Sequence, residues 1–396
     1  MKLAIKLSGI LYISFLGFTS CKTEGQLNKD EHTFTIEGKI KGLTSNLYYR
    51  HPDKEYSREH PSDSIVVTNG KFSLTDSISN LSLLNFYTSY DTKKNNLYKI
   101  AKSGGFYPVK SMYLMMYAFP GASIEVSGEA IDFMNAYPSG DIYNNGLAEI
   151  NKITFPNYNE SANLMIKASF EKDSSKVEIL NKASDSISEL VRLAQIDYIK
   201  NHPESLAALW YLENMIMTEQ IDDDTAIALY QKASPNLTST ETYKAISSRI
   251  EGIEATKEGM LVPSIKSTST IDGSEFDIFS LRGKYVLIDF WGTWCGPCVE
   301  EMPKVKSFQE KYKDQLVVLG INSGDTKKRV VKFLKNNDYQ WQQLMSDKAN
   351  TPDNFVNRFN VKGFPTKFII DPEGKIVKRY LGSGEDTFSL LEELLN

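Results

Sequence analysis

The chain has 396 residues, of which 41% are hydrophobic and 24% charged, and it carries a net charge of −5. This is ordinary globular composition, but the length exceeds what one core usually serves, so two or three domains are expected. The small negative charge, spread along the whole chain, gives no electrostatic reason for a nucleic-acid or anionic-lipid partner.

Met1, Lys2 and Lys6 make a basic start, an apolar run follows from about Leu7 to Phe18, and Thr19-Ser20 precede Cys21. This reads as a secretory signal. The run falls short of the roughly 20 apolar residues that a membrane span needs. The small residues before Cys21 resemble a bacterial lipoprotein signal over residues 1–21. That resemblance implies a lipidated Cys21 as the first residue of the mature chain; cleavage without a lipid is the plainer alternative. Residues 22–31 are polar and read as a tether. Export would place the other two cysteines where disulfides form.

Residues 32–135 read as β-rich. Thr33–Ile36 alternates, and Ile65–Val67 and Lys71–Leu74 flank Asn69-Gly70, a hairpin turn signal. Met112 to Phe119 is a candidate strand, and Pro120-Gly121 turns into another at Ser123–Val126. Several short strands punctuated by turns predict a small antiparallel sandwich or barrel. Aromatics such as Tyr48 and Tyr49 read as packing residues rather than as a binding face.

Residues 136–258 read as helical. Leu180, Ala183, Ile187, Leu190, Ala194 and Tyr198 recur at three- and four-residue steps. A new helix is expected after Pro203, over Leu206–Leu212. Asp222–Asp224 reads as a solvated helix start rather than a calcium site. Thr238 to Glu241 has the spacing of a capping box. The region reads as a helical spacer or dimerisation unit, and Gly259–Thr270 as a linker or lead-in arm to a last domain over 259–396.

That last domain holds the chemistry. An apolar strand, Tyr285–Phe290, runs into Trp294-Cys295-Gly296-Pro297-Cys298 at the start of a helix reaching about Lys313. A second apolar strand over 315–321 completes a βαβ unit. Two thiols two residues apart can close and reopen a small disulfide. At a helix N-terminus the free N–H groups stabilise a thiolate on the first. A structural zinc site needs about four N/S ligands, and His32, His51, His60 and His202 all lie outside this third of the chain. A purely structural disulfide would close too short a loop to restrict the unfolded chain much. No metal and no cofactor are expected. An amphipathic helix over 325–337, a short strand at Trp341–Met345 and a hairpin of Phe368–Asp371 with Lys375–Tyr380 follow.

Phe279–Lys284, Phe290–Cys298, Pro303, Gly363-Phe364-Pro365-Thr366 and Asp371–Gly374 together resemble the membrane-tethered TlpA/ResA-like branch of the thioredoxin superfamily. The resemblance implies an α/β domain with a mixed central sheet and helices on both faces, ending in a helix over Asp386–Leu395. The Gly38–Gly42, Asn69–Phe72 and Pro120–Ile124 segments resemble an uncharacterised β-domain that precedes such domains in some bacterial envelope lipoproteins. The implied activity is thiol–disulfide exchange. Cys295 attacks a substrate disulfide and Cys298 resolves the mixed disulfide. Asp289 matches the acid that lies beneath the dithiol in thioredoxins, and an acid in so apolar a strand is otherwise hard to explain. Glu301, one helical turn beyond Cys298, matches an acid common in this branch; which of the two carboxylates moves the proton stays open. Phe364–Pro365 is the implied cis peptide against which substrate backbone pairs, with Trp294 as an apolar lip. Gly296-Pro297 resembles the dipeptide of reducing thioredoxins. The implied partners are disulfide-containing envelope proteins and a membrane thiol–disulfide electron donor. A disulfide isomerase or oxidase using the same cysteines is the main alternative. A thiol peroxidase, whose motif Phe290–Cys295 does not match, and a non-catalytic binding lipoprotein are the others.

Overall fold

The computed structural model describes residues 32–56, 60–88, 113–130 and 133–396. Cys21, the expected signal and tether over 1–31, and Met112 lie outside them. The alternating segments form β1 (Thr33–Lys41), β2 (Leu47–Tyr49), β3 (Asp63–Ile65), β4 (Lys71–Ser77), β5 (Ser82–Thr88), β6 (Tyr113–Ala118), β7 (Ser123–Ala130) and β8 (Met134–Ser139). They make two four-stranded sheets, β4-β1-β7-β8 and β3-β2-β5-β6. One core lies between them: Phe34, Ile36 and Ile124 from the first sheet meet Tyr49, Phe86 and Met116 from the second. Tyr49 is in that core, stacked on Phe86 at 4.9 Å.

Two expectations for this part need correction. The sandwich is not wholly antiparallel, because β1 and β7 run parallel. The Asn69-Gly70 turn forms, with Thr68 and Lys71 exchanging backbone bonds of 2.9 and 3.0 Å and with φ of 53° and 75°. The flanking segments nonetheless part, β3 to β2 and β4 to β1. The turn is a local preference, whereas each strand's ladder partner is set by where Ile65 and Phe72 can be buried.

The helices are α1 (Ile142–Phe170), α2 (Ser174–Asn201), α3 (Leu206–Met217), α4 (Asp223–Tyr230) and α5 (Glu241–Ala255). Buried Asn144 of α1 clasps the edge of β6, accepting from Tyr117 N–H and donating to Tyr117 C=O, each at 2.8 Å. This meets backbone groups that an edge strand would otherwise expose. The inward stripe of α2 differs from the expected one. Val191 is buried while Leu190 is 62% exposed. A polar seam with α1, Ser184 on Ser161 and Gln195 on Tyr158, turns the helix. Asp222 caps α4 as expected. The cap of α5 is Thr240 rather than Thr238, which ends the preceding turn by donating to Pro235 C=O.

The remaining elements are β9 (Lys266–Ser267), β10 (Phe276–Asp277), β11 (Tyr285–Trp291), α6 (Gly296–Lys311), β12 (Leu316–Asn322), α7 (Lys327–Asn337), β13 (Gln342–Met345), α8 (Phe355–Arg358), β14 (Thr366–Ile370), β15 (Ile376–Leu381) and α9 (Glu385–Leu395). The central sheet has the order β13-β12-β11-β14-β15. β11, β12 and β13 run parallel, and β14 and β15 antiparallel to their neighbours. This is a thioredoxin-like fold. One sheet face is covered by α6, α7 and α9. The other is covered by α8 and by Val262, Ile265 and Ile278 of the lead-in segment. That segment is docked rather than a free linker, since Val262 N–H donates to Gly374 C=O at 2.9 Å. Among the described residues no helix is long and apolar enough to cross a membrane.

Candidate active site

The site forms where β11 ends and α6 begins. Cys295 is the N-cap of α6, and its Sγ accepts the Cys298 N–H at 3.2 Å. The two cysteines form a disulfide, with Cα atoms 5.3 Å apart. Both residues are buried, Cys295 5% exposed and Cys298 2%. Burial therefore separates them little; what separates them is position, because the N-cap sulfur receives a helix N–H that stabilises negative charge there. Gly296, Pro297 and Trp294 are exposed around them. Nothing lies within 4 Å of where a Gly296 side chain would begin.

Trp294 is 53% exposed and packs edge-on against Phe364 with ring centroids 5.2 Å apart. Its Nε1 donates to Ser323 C=O at 2.9 Å. The Phe364–Pro365 peptide is cis. Gly382 N–H holds this loop by donating to Pro365 C=O at 2.8 Å. The backbone N–H and C=O of Phe364 make no hydrogen bond within the described residues, so both are free for an extended partner chain.

Beneath the disulfide lies a charged group inside the core. Strand alternation puts Leu287 and Trp291 on the sheet face that carries Cys295, Cys298 and Met302, and Asp289 shares their parity. Asp289 is 2% exposed. Its cross-strand partner on β14 is Lys367, whose side chain is 1% exposed. Lys367 Nζ stands 3.5 Å from Asp289 Oδ1, which has no hydrogen-bond partner, and makes a closer ion pair with Glu301 Oε2. Glu301, 10% exposed in its side chain, also accepts Gly384 N–H through Oε1 at 3.2 Å. Burial pushes the Asp289 carboxyl above the usual range, Lys367 pulls it back, and Glu301 pushes it up further.

Asp289, Cys295, Cys298 and Glu301 thus gather on or beside α6, and Trp294, Phe364 and Pro365 form the rim. Two residues of the site were missed in the sequence. Lys367 had a readable signal, since a lysine within the apolar run Thr366–Ile370 needs the explanation that Asp289 received. The other is Asp325, which precedes α7. Its side chain is 1% exposed, accepts Thr293 N–H and Thr293 Oγ1–H at 2.7 Å each, and accepts Asn322 Nδ2–H at 3.0 Å. It pins the loop that delivers Trp294 and Cys295. Its own segment does not mark it, because Thr293, which donates two of its hydrogen bonds, comes from another loop.

Fold and site together define a thioredoxin-fold protein with a redox-capable dithiol pair. Comparison with known proteins agrees. Residues 257–395 match the Redoxin family, and residues 34–147 match a domain of unknown function (DUF4369). Thiol-disulfide oxidoreductase ResA of Bacillus subtilis (strain 168) is 32% identical over 146 residues, spanning 37% of this chain and 78% of that protein. The thioredoxin-like protein YneN of the same organism is 32% identical over 144 residues, 36% of this chain and 79% of that one. Among solved structures, the thioredoxin domain of a thiol-disulfide oxidoreductase from Bacteroides vulgatus is 28% identical with a TM-score of 0.32, covering 35% of this chain and 99% of the other. The chain belongs to the TlpA/ResA-like thiol-disulfide oxidoreductases of the thioredoxin superfamily, and it carries an additional β-rich and helical N-terminal part.

Proposed function

We propose that the protein is an envelope-facing, lipid-anchored reductant of protein disulfides. The observation that carries the reading is Cys295 standing as the N-cap of α6, its sulfur met by a helix N–H and flanked by the cis Phe364–Pro365 loop. In the reducing direction the Cys295 thiolate attacks a substrate disulfide. The Cys295–substrate Sγ–Sγ bond forms, and the second substrate sulfur leaves with the electron pair and takes a proton. Cys298 then attacks Cys295 Sγ, closing the internal disulfide and releasing the first substrate sulfur. Two electrons pass from the dithiol to the substrate, and a membrane thiol–disulfide donor restores them. One of the two carboxylates beside α6, Asp289 or Glu301, takes the Cys298 proton. Trp294, Gly296 and Pro297 give an open apolar approach, and Phe364 offers its backbone to the substrate strand. Cys21 is the lipid attachment point of a signal over residues 1–21.

Expression in the envelope tests the whole reading. Cys298→Ser should accumulate mixed disulfides with envelope proteins, and Cys295→Ser should not; equal trapping by both would reverse or remove the assignment. The same cells report the anchor. The protein should fractionate with membranes, and a Cys21→Ala variant that is still processed and membrane-bound would refute the lipoprotein reading.

A further inference from the structure

The cysteine chemistry alone leaves Lys367 without a task. Every residue of β14 is buried, and an ammonium there is costly unless charge compensates it. Two carboxylates are available, Glu301 in close contact and Asp289 at 3.5 Å. With both ionised, the buried set carries one net negative charge; with one proton added it is neutral. Glu301 has Lys367 and the Gly384 N–H as partners, whereas Asp289 Oδ1 has no hydrogen bond. Among the described residues no charged group besides Lys367 forms an ion pair with Asp289. Its neighbour on β12 is Gly320, over which the neutral Gln343 side chain of β13 lies with its Nε2 making no hydrogen bond, and α6 and α9 present Met302, Phe388 and Leu391 to this core. From β15, Tyr380 stands opposite Lys367. The Lys304–Glu385 pair belongs to the more exposed rim between α6 and α9. Among the described residues, the other titratable groups of this core are the two cysteines and Tyr285, Tyr312 and Tyr339.

We propose that Lys367 is a positioning residue for disulfide exchange: placed between Glu301 and Asp289, it allows Asp289 to exist as a carboxylate inside the core and so to take the proton of the Cys298 thiol. This rests on the roles given above to the two cysteines. In the step, the Cys298 Sγ–H proton passes to an Asp289 carboxyl oxygen. The freed electron pair makes the Sγ–Sγ bond to Cys295, and the Cys295–substrate bond breaks with its pair on the substrate sulfur. The buried set goes from one negative charge to none, and Asp289 later returns the proton to solvent. Without the lysine, burial and Glu301 would hold the proton on Asp289 more tightly and weaken its action as the base. The opposing pulls of burial and of Lys367 on the Asp289 carboxyl agree with this division.

The test is single-turnover exchange with an aromatic disulfide, followed against pH in the full-length protein. The rate of closing the Cys295–Cys298 disulfide should show one acid transition that Asp289→Asn removes. In the paired variant Lys367→Met/Glu301→Gln, one cation and one anion leave together, so the net charge of the core is kept. Its transition should still move up, because Lys367 acts on Asp289 more strongly than Glu301 does, but by less than the shift of about one pH unit or more that a lost lone cation gives. Lys367→Arg should keep the midpoint. A merely structural lysine would change stability and leave the midpoint where it was, and that result would overturn the proposal. So would a transition that survives Asp289→Asn. No exchange by the unmodified protein would overturn the underlying reading as well. If the paired variant does not fold, the infrared carboxyl signal lost in Asp289→Asn can be titrated in the unmodified protein and in Lys367→Arg. Its midpoint should match that of the rate, and a mismatch overturns the role.

Discussion

Truncating Asp325 to alanine tests how the active-site loop is held. The carboxylate is buried and accepts three hydrogen bonds, two from Thr293 and one from Asn322 Nδ2. Alanine strands the Thr293 N–H and the fully buried Asn322 amide, while the half-buried Thr293 hydroxyl can turn to water. A buried donor left without a partner costs about 1–3 kcal/mol, so the two together should cost roughly 2–6 kcal/mol. Losing the ion pair to Arg329, 55% exposed in its side chain, should add little. Asparagine keeps the shape and one oxygen acceptor and should cost about half as much, near 1–3 kcal/mol. Urea unfolding of the oxidised protein, followed by tryptophan fluorescence, reads this well, because Trp291, Trp294 and Trp341 are three of the chain's four tryptophans. Thiol-exchange rates measured alongside should fall in the same order, since Thr293 directly precedes Trp294 and Cys295. A loss below about 0.5 kcal/mol for Asp325→Ala, the range of an ordinary surface change, would refute the clamp. Equal losses for alanine and asparagine would show that hydrogen bonding is not what holds the loop.

Asp289→Asn should leave stability at neutral pH within about 1 kcal/mol or raise it, because the Lys367–Glu301 pair stays balanced and a buried ionisable group whose Oδ1 makes no hydrogen bond is removed. The sign with pH follows from the raised carboxyl. Between the ordinary aspartate value and its own raised value, the folded state binds more protons than the unfolded one. The Asp289 contribution is therefore full at acid pH and lost as pH rises through the folded value. Denaturation midpoints taken from about pH 4 to 8 should fall less steeply in the asparagine variant; an unchanged slope would count against it. The reduction potential of the Cys295–Cys298 pair should lie nearer thioredoxin, about −270 mV, than DsbA, about −120 mV. A redox titration giving a value above about −180 mV, that of protein disulfide isomerase, would favour the isomerase or oxidase reading.

The elements of the C-terminal domain were legible because their signals are local. The apolar run Tyr285–Phe290, a CxxC at a helix start, and the 3.6-residue pattern over 325–337 each state their own structure within a dozen residues. Asp289 was legible for the same reason, since a carboxyl amid Val286, Leu287, Ile288 and Phe290 has few ordinary explanations. The Asn69-Gly70 turn was legible as a turn but not as a junction between sheets. Its φ values belong to two residues, whereas the partners of β3 and β4 lie 14 to 44 residues away, as Tyr49↔Asp63 and Thr33↔Ser77 show.

What the amino-acid order determined by itself, then, was conformational preference, periodicity and the presence of a dithiol beside an acid. The tertiary structure alone decided which charges share the core. β11 and β14 are distant in the chain, and only their register sets Asp289 across from Lys367. Only the packing of α6 brings Glu301 to the same ammonium. The physical reason is that a side chain's local preference is a property of a few dihedrals, while its partner in a buried charge set depends on register and burial summed over the whole domain.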